Sequence, residues 1–301
     1  MPQSYGEALS AVRERALPSV VQLYRRAPDR VFLSAEPVAR GAVLTSDGWM
    51  VVFGVSVQDV KGLIPVIGQQ TSAIEQSVVD PTTGAIFIRV KENGLSVMSF
   101  GSGWDTTIGQ QVFVLSGREE IRFTEVSAIS HGDNGALSSD IPSRRFSLAD
   151  SVDRQFIGSP VVDTAGELVG FVEANGYSVI PLQALLGAFD GFLKDGKVSR
   201  PSLGLNVVSL SDHVGLTEEL TRGFSSGALV YGKRGVTAGS AAAKAGLKNS
   251  DIILSVDGQS VNATRSLYEY ISRKRPEEEV TLSIDRAGER LEVKVILGIL
   301  L

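Results

Sequence analysis

Ala238-Gly239-Ser240-Ala241-Ala242-Ala243-Lys244-Ala245-Gly246-Leu247, followed by Asp251-Ile252-Ile253-Leu254-Ser255-Val256-Asp257-Gly258, is the stretch from which the rest of the chain can be read. Residues 240–245 form a short Ala-rich helix. Residues 251–256 form a strand, closed by Asp257-Gly258, the dipeptide that favours a tight hairpin turn. Working outward, 202–210 and 227–231 are strands. Residues 264–273 are a helix that can take Thr264 as its N-cap. Residues 280–284 and 291–296 pair as strands across Arg286-Ala287-Gly288. The expectation is a compact α+β module at 202–301 with its own core, entered through a short connector at 197–201.

The chain has 301 residues, more than one hydrophobic core usually serves, so two domains are expected. Its 29 Lys and Arg stand against 34 Asp and Glu, a formal charge of −5, and no basic run exceeds Arg273-Lys274-Arg275. A duplex nucleic-acid partner, which needs a concentrated basic face, is therefore not expected. The absence of cysteine excludes disulfides, thiolate zinc sites and cysteine nucleophiles, and leaves the compartment open. The two histidines lie far apart, which gives no recognisable metal-ligand spacing, and no cofactor is expected. No apolar run reaches membrane-spanning length. Met1-Pro2-Gln3-Ser4-Tyr5 lacks a basic start followed by an apolar block, so no signal peptide is visible. Either the protein is cytoplasmic or the sequence begins after a removed signal or anchor.

Short β-branched runs separated by turn signals fill the first two-thirds: 20–24, 41–44, 50–53, 85–90, 111–115, 124–129 and 167–172. Many short strands at this spacing indicate an all-β sandwich or barrel. Residues 5–17 can form a helix ending before Pro18. Leu182, Leu185, Leu186, Phe189 and Leu193 repeat at helical spacing, with Gly196 as the stop.

The C-terminal module resembles a PDZ domain of the bacterial HtrA type, on Ser202-Leu203-Gly204-Leu205 and the two segments quoted above. Glycine at 204 lets successive backbone N–H groups turn inward as a nest for a carboxylate, and an adjacent strand edge can add an incoming peptide as one more strand. The resemblance implies that Leu203, Gly204 and Leu205 supply the carboxylate loop. It also implies that the 264–273 helix walls the groove through Leu267, Tyr268 and Ile271. Ordinary core packing is the competing role for those three, and strand burial for Leu203 and Leu205.

The preceding residues resemble the partner domain of the same family, a chymotrypsin-like double β-barrel. The likeness rests on 17–21, 41–49, 80–90, 158–171 and the passage 180–205. The fold class implied is mostly β, with an N-terminal arm at 1–17, the barrels at 18–196, a linker at 197–201 and the PDZ domain at 202–301.

The family's catalytic triad does not carry over. Its histidine falls eight residues past the aspartate of the Asp47-Gly48 turn, on Val55. Its aspartate falls four residues after the aspartate of Asp80-Pro81, on Gly84. Its serine, anchored on Pro160, falls on Ile157. A serine protease needs nucleophile, base and orienting carboxylate together, and none of these side chains can titrate. The leading glycine of the nucleophile turn is Gln155, which puts the oxyanion hole in doubt as well. A relocated set of Ser159, His131 and Asp133 is the alternative; the plainer role for His131 is an exposed loop histidine, and for His213 a surface residue.

The charged cluster Arg118, Glu119, Glu120 and Arg122 is expected in a solvent-facing loop, a region that in active members senses PDZ occupancy. Three functions follow: an inactive, peptide-binding scaffold, chaperone-like or regulatory protein in protein quality control; a regulatory subunit of an active relative; or a residual endopeptidase. The resemblance further implies binding of protein C-termini, assembly as a trimer through the barrel end near Tyr5, and an extracytoplasmic location with an anchor absent from this chain.

Overall fold

The computed structural model describes residues 4–26, 36–117, 120–131, 135–213 and 215–300. They form two compact units. One comprises Met1–Ser130 with Arg144–Leu186, the other His131–Ser143 with Gly187–Leu301.

The first unit opens with helix Tyr5–Arg15. Ser4 Oγ accepts the Glu7 N–H, and the Glu7 carboxylate accepts the Ser4 N–H, closing a reciprocal cap. Pro18 then turns the chain through a 3-10 turn at Leu17–Ser19. Seven antiparallel strands follow as one sheet, ordered Gln70–Thr71, Ile64–Ile67, Val20–Tyr24, Ala39–Val43, Trp49–Phe53, Ile86–Val90 and Ile74–Val79. Its core contains Val21, Leu23, Met50, Val52, Ile86 and Ile88. Each such side chain contributes roughly 1.5–3 kcal/mol on full burial.

Six further strands close on themselves as a barrel, in the order Arg145–Leu148, Ser178–Pro181, Leu168–Val172, Pro160–Val162, Gln111–Gly117 and Glu120–Ser130. The resemblance implied two barrels. Among the described residues only the second closes; the first is an open ladder whose outer strands do not pair. Helix Gln183–Asp195 follows and stops at Gly196, whose φ of +68° suits glycine and whose N–H bonds back to the Phe192 carbonyl.

The second unit is built on one antiparallel path: Leu137–Ser138, Asn206–Ser209, Ala228–Val230, Ile252–Val256, Glu279–Arg286 and Glu289–Ile296. Both hairpin signals form as read. Asp257 and Gly258 take φ of +48° and +79° between the paired Val256 and Gln259. Ala287 and Gly288 do the same between Arg286 and Glu289.

Three sequence expectations change here. The 202–210 strand breaks into Arg200–Ser202 and Asn206–Ser209, because the chain turns inward at Leu203-Gly204-Leu205. The 264–273 helix shrinks to Leu267–Ile271 with Ser266 as its cap, since the Asn262 side chain takes the N–H groups of Thr264 and Arg265 in a turn of its own. The division of the chain is also not contiguous. Residues 131–143, read as part of 18–196, are counted with the second unit, and 187–196 join it too.

Candidate functional site

Gly204 sits at φ +79°, and a Cβ there would lie 2.3 Å from Ser240 Cβ. Both facts restrict the position to glycine. The turn it permits aims consecutive backbone N–H groups at one point. Leu203 N–H donates to Asp140 Oδ1 at 2.8 Å, and Gly204 N–H reaches Oδ1 at 3.2 Å and Oδ2 at 3.0 Å. Ser202 Oγ donates to Oδ2 at 2.6 Å, and Leu205 N–H donates to Ser139 Oγ at 3.0 Å. These residues form a carboxylate nest, and the carboxylate in it belongs to Asp140 of the same unit.

Leu203 and Leu205 act through their backbones. Their side chains are 0% and 2% exposed and belong to the unit's core. Beside the nest, Leu137 pairs with Val207 and Ser138 with Asn206 along the free edge of strand Asn206–Ser209, and Ser139 N–H donates to the Leu205 carbonyl at 2.9 Å. Leu267 and Tyr268 face Leu137 and Val207 across a cavity of only about 20 Å³, roughly the room of one water. Ile271 is fully enclosed in the core and does not line that cavity. Arg200 Nη1 donates to Tyr268 Oη at 3.3 Å, fixing the ring's outer end.

In the first unit, Val55 packs partly buried against the sheet core that holds Ile86 and Ile88. Gly84 closes the turn before strand Ile86–Val90, donating its N–H to the Asp80 carbonyl at 2.8 Å. Ile86 pairs with Val52, three residues before Val55. The buried Asp80 carboxylate accepts Thr82 N–H and Thr83 Oγ within this turn. Gly158, at φ +79°, passes so close to strand Trp49–Phe53 that a Cβ would sit 3.0 Å from the Phe53 carbonyl. Gly54 and Ile157 line one open cleft of about 880 Å³ together with Arg40, Arg154 and Asn175. Ile157 itself is extended, after a 3-10 turn at Arg154–Phe156.

Of the relocated set, Ser159 and His131 can be described one at a time. Ser159 is 0% exposed, and its Oγ is buried without a hydrogen-bond partner among the described residues. Both histidines of the chain belong to the second unit. His131 is not the exposed loop residue expected: its side chain is only 14% exposed, with Nδ1 3.7 Å from the Asp212 carboxylate. His213 Nδ1 lies 3.1 Å from the Ser209 carbonyl. Asp133, Arg118 and Glu119 lie outside the described residues. Glu120 begins the long strand Glu120–Ser130 and accepts Ser116 Oγ, while Arg122 is 3.5 Å from Asp153.

Ser139 and Asp140 stand at the nest without having been singled out in the sequence, and Ser202 joins through its side chain. The one local signal for them is the run Leu137-Ser138-Ser139-Asp140, where small hydroxyl residues precede a carboxylate.

Comparison with known proteins agrees with this architecture. The PDZ domain family matches residues 201–297. Probable periplasmic serine endoproteases described as DegP-like are 25% identical over 269 residues in Halomonas elongata and 26% identical over 279 residues in Bartonella henselae. Those alignments cover 86% and 87% of this chain but 56% and 53% of the relatives, so the chain spans little more than half their length. Among solved structures, the HtrA-type protease AlgW with a tripeptide superposes at a TM-score of 0.66 and 21% identity, covering 99% of this chain and 98% of that one. A serine endoprotease from Yersinia pestis gives 0.54 at 20% identity, covering 100% and 99%. Residues 201–297 match the PDZ domain family, and the chain as a whole shares the fold of HtrA-type serine proteases.

Proposed function

We propose that this protein binds C-terminal or extended peptide segments through its PDZ domain and does not cut them. The observation that carries the reading is the nest itself: N–H groups of Leu203 and Gly204, joined by Ser202 Oγ, converge on one carboxylate. Charge-assisted hydrogen bonds of this kind contribute about 1.5–3 kcal/mol each, enough to select a free chain terminus. The loss of catalysis is supported by side-chain chemistry. Val55, Gly84 and Ile157 offer no nucleophile, base or orienting carboxylate, and both histidines lie in the second unit.

Fluorescence titration with labelled peptides that end in a free apolar carboxylate tests the binding claim. Saturable binding abolished by C-terminal amidation is expected, and binding indifferent to amidation contradicts carboxylate capture. A fluorogenic peptide left uncut, with no labelling by a phosphonate inhibitor, is expected from the triad loss. The periplasmic naming of the relatives supports an extracytoplasmic location, where such a protein would serve quality control.

A second reading is assembly, as a homo-oligomer or with an active relative. Tyr5 and Phe123 favour it: 56% and 39% exposed, they stack edge-on at 5.2 Å between ring centroids, with Phe113 beneath them. An aromatic cluster left open to water in this way suits a protein–protein contact.

A further inference from the structure

We propose that residues 137–140 are an internal ligand of the peptide groove, and that incoming peptides bind only by displacing them. This rests on the peptide-binding reading above and adds its regulation. Four features of a bound peptide are reproduced by the chain's own segment. Leu137 and Ser138 extend the sheet as an added antiparallel strand against Val207 and Asn206. Ser139 continues that ladder through its N–H to the Leu205 carbonyl and receives the Leu205 N–H on its Oγ. Asp140 presents a carboxylate where a chain terminus would, filling the donors of Ser202, Leu203 and Gly204. Leu137 packs partly buried against the unit's core and lines, with Val207, Leu267 and Tyr268, a cavity of about 20 Å³.

The strand edge and the nest each admit one occupant, since strand Asn206–Ser209 pairs with Ala228–Val230 on its other side. The internal segment has only two ladder pairs, so its hold on the groove rests mainly on the hydrogen bonds of Ser139 and Asp140. It can be displaced by a longer peptide that pairs along the whole edge. A groove open in only a fraction of molecules lowers apparent peptide affinity by that fraction.

The test uses the full chain in three forms: wild type, Asp140→Ala and Asp140→Asn. Amide hydrogen exchange at Leu203 and Gly204 reads occupancy of the nest, and titration with a labelled peptide ending in a free leucine carboxylate reads access to it. Both variants are expected to expose the two amides to exchange and to tighten peptide binding by about tenfold or more. Asparagine keeps the size of the side chain, so agreement between the two variants separates lost charge from lost folding. Equal exchange in all three forms overturns the internal ligand, as does equal peptide affinity in all three, and neither result disturbs the peptide-binding reading. Faster exchange in the variants with no peptide bound by any form upholds the internal segment and removes the peptide-binding reading instead.

Discussion

At Gly204 the backbone conformation and the space available make the same demand. The φ of +79° disfavours any side chain, and a Cβ would strike Ser240 at 2.3 Å. Gly204→Ala is therefore expected to cost about 1–3 kcal/mol in urea unfolding and to abolish carboxylate-dependent peptide binding. Ile157 makes a complementary prediction. Ile157→Ser restores a hydroxyl, while Val55 and Gly84 still stand where the family's base and orienting carboxylate would be. The variant is expected to stay inert toward a fluorogenic peptide and a phosphonate inhibitor; labelling would show that a base is in reach. Gly204 was singled out in the sequence by the likeness of Ser202-Leu203-Gly204-Leu205 to a carboxylate loop, and Ile157 is an expectation counted from Pro160. Asp140 was not legible there, because its role depends on donors more than sixty positions further along the chain. Nothing in Ser138-Ser139-Asp140 itself distinguishes a nest ligand from an ordinary polar loop. His131 was misjudged for the same reason, since Asp212, its neighbour, is remote in sequence.

Elements fixed by local chemistry were read closely, and those fixed by distant partners were not. Asp257-Gly258 and Ala287-Gly288 dictate their turns within two residues, and both hairpins stand where the dipeptides placed them. Helix Leu267–Ile271 starts late because Asn262 competes for the N–H groups a longer helix would use. The hairpin turn at Asp257 is tied to the segment after that helix by Lys274, whose Nζ reaches Asp257 at 2.6 Å and Glu278 at 3.2 Å.

Burial works against the charged form of Asp257, but hydrogen bonds from Lys274 and the Thr281 N–H outweigh it and hold the carboxyl below its usual range. The Arg275 N–H does the same for Glu278, and Asp257 raises Lys274. Carboxyls depressed in the folded state contribute stability above their unfolded pKa, and lose it as pH falls through the folded value. A lysine raised in the folded state contributes below its unfolded pKa and loses that as pH climbs through the folded one. Lys274→Met is therefore expected to cost about 0.5–1 kcal/mol at neutral pH, a modest figure for groups so exposed to solvent. The difference from wild type should shrink as pH falls below the ordinary carboxylate range, where the depressed carboxyls at last protonate; a difference unchanged in acid would remove the ionic account. Asp251 is another matter. It is almost fully buried and holds Arg286 bidentately at 2.8 and 2.7 Å, so Asp251→Ala should cost about 3–5 kcal/mol in urea unfolding. A cost near zero would mean that Arg286 finds another partner.

Across the whole molecule, the count of two histidines carries the functional argument. The first unit contains neither histidine, and its cleft is lined by Arg40, Arg154 and Ile157; the proposal that the protein binds without cutting draws its support from this. The exposed pair Tyr5 and Phe123 gives the assembly reading its own test. Tyr5→Ala combined with Phe123→Ser is expected to lower the sedimenting mass without loss of fold, and an unchanged mass would take that surface out of the account. Binding without cleavage is decided most directly by native mass spectrometry of the full chain mixed with peptides that end in a free apolar carboxylate. A complex carrying the intact peptide, absent with the amidated form, is the predicted result. Peptide fragments, or a covalent acyl adduct on the protein, would contradict it.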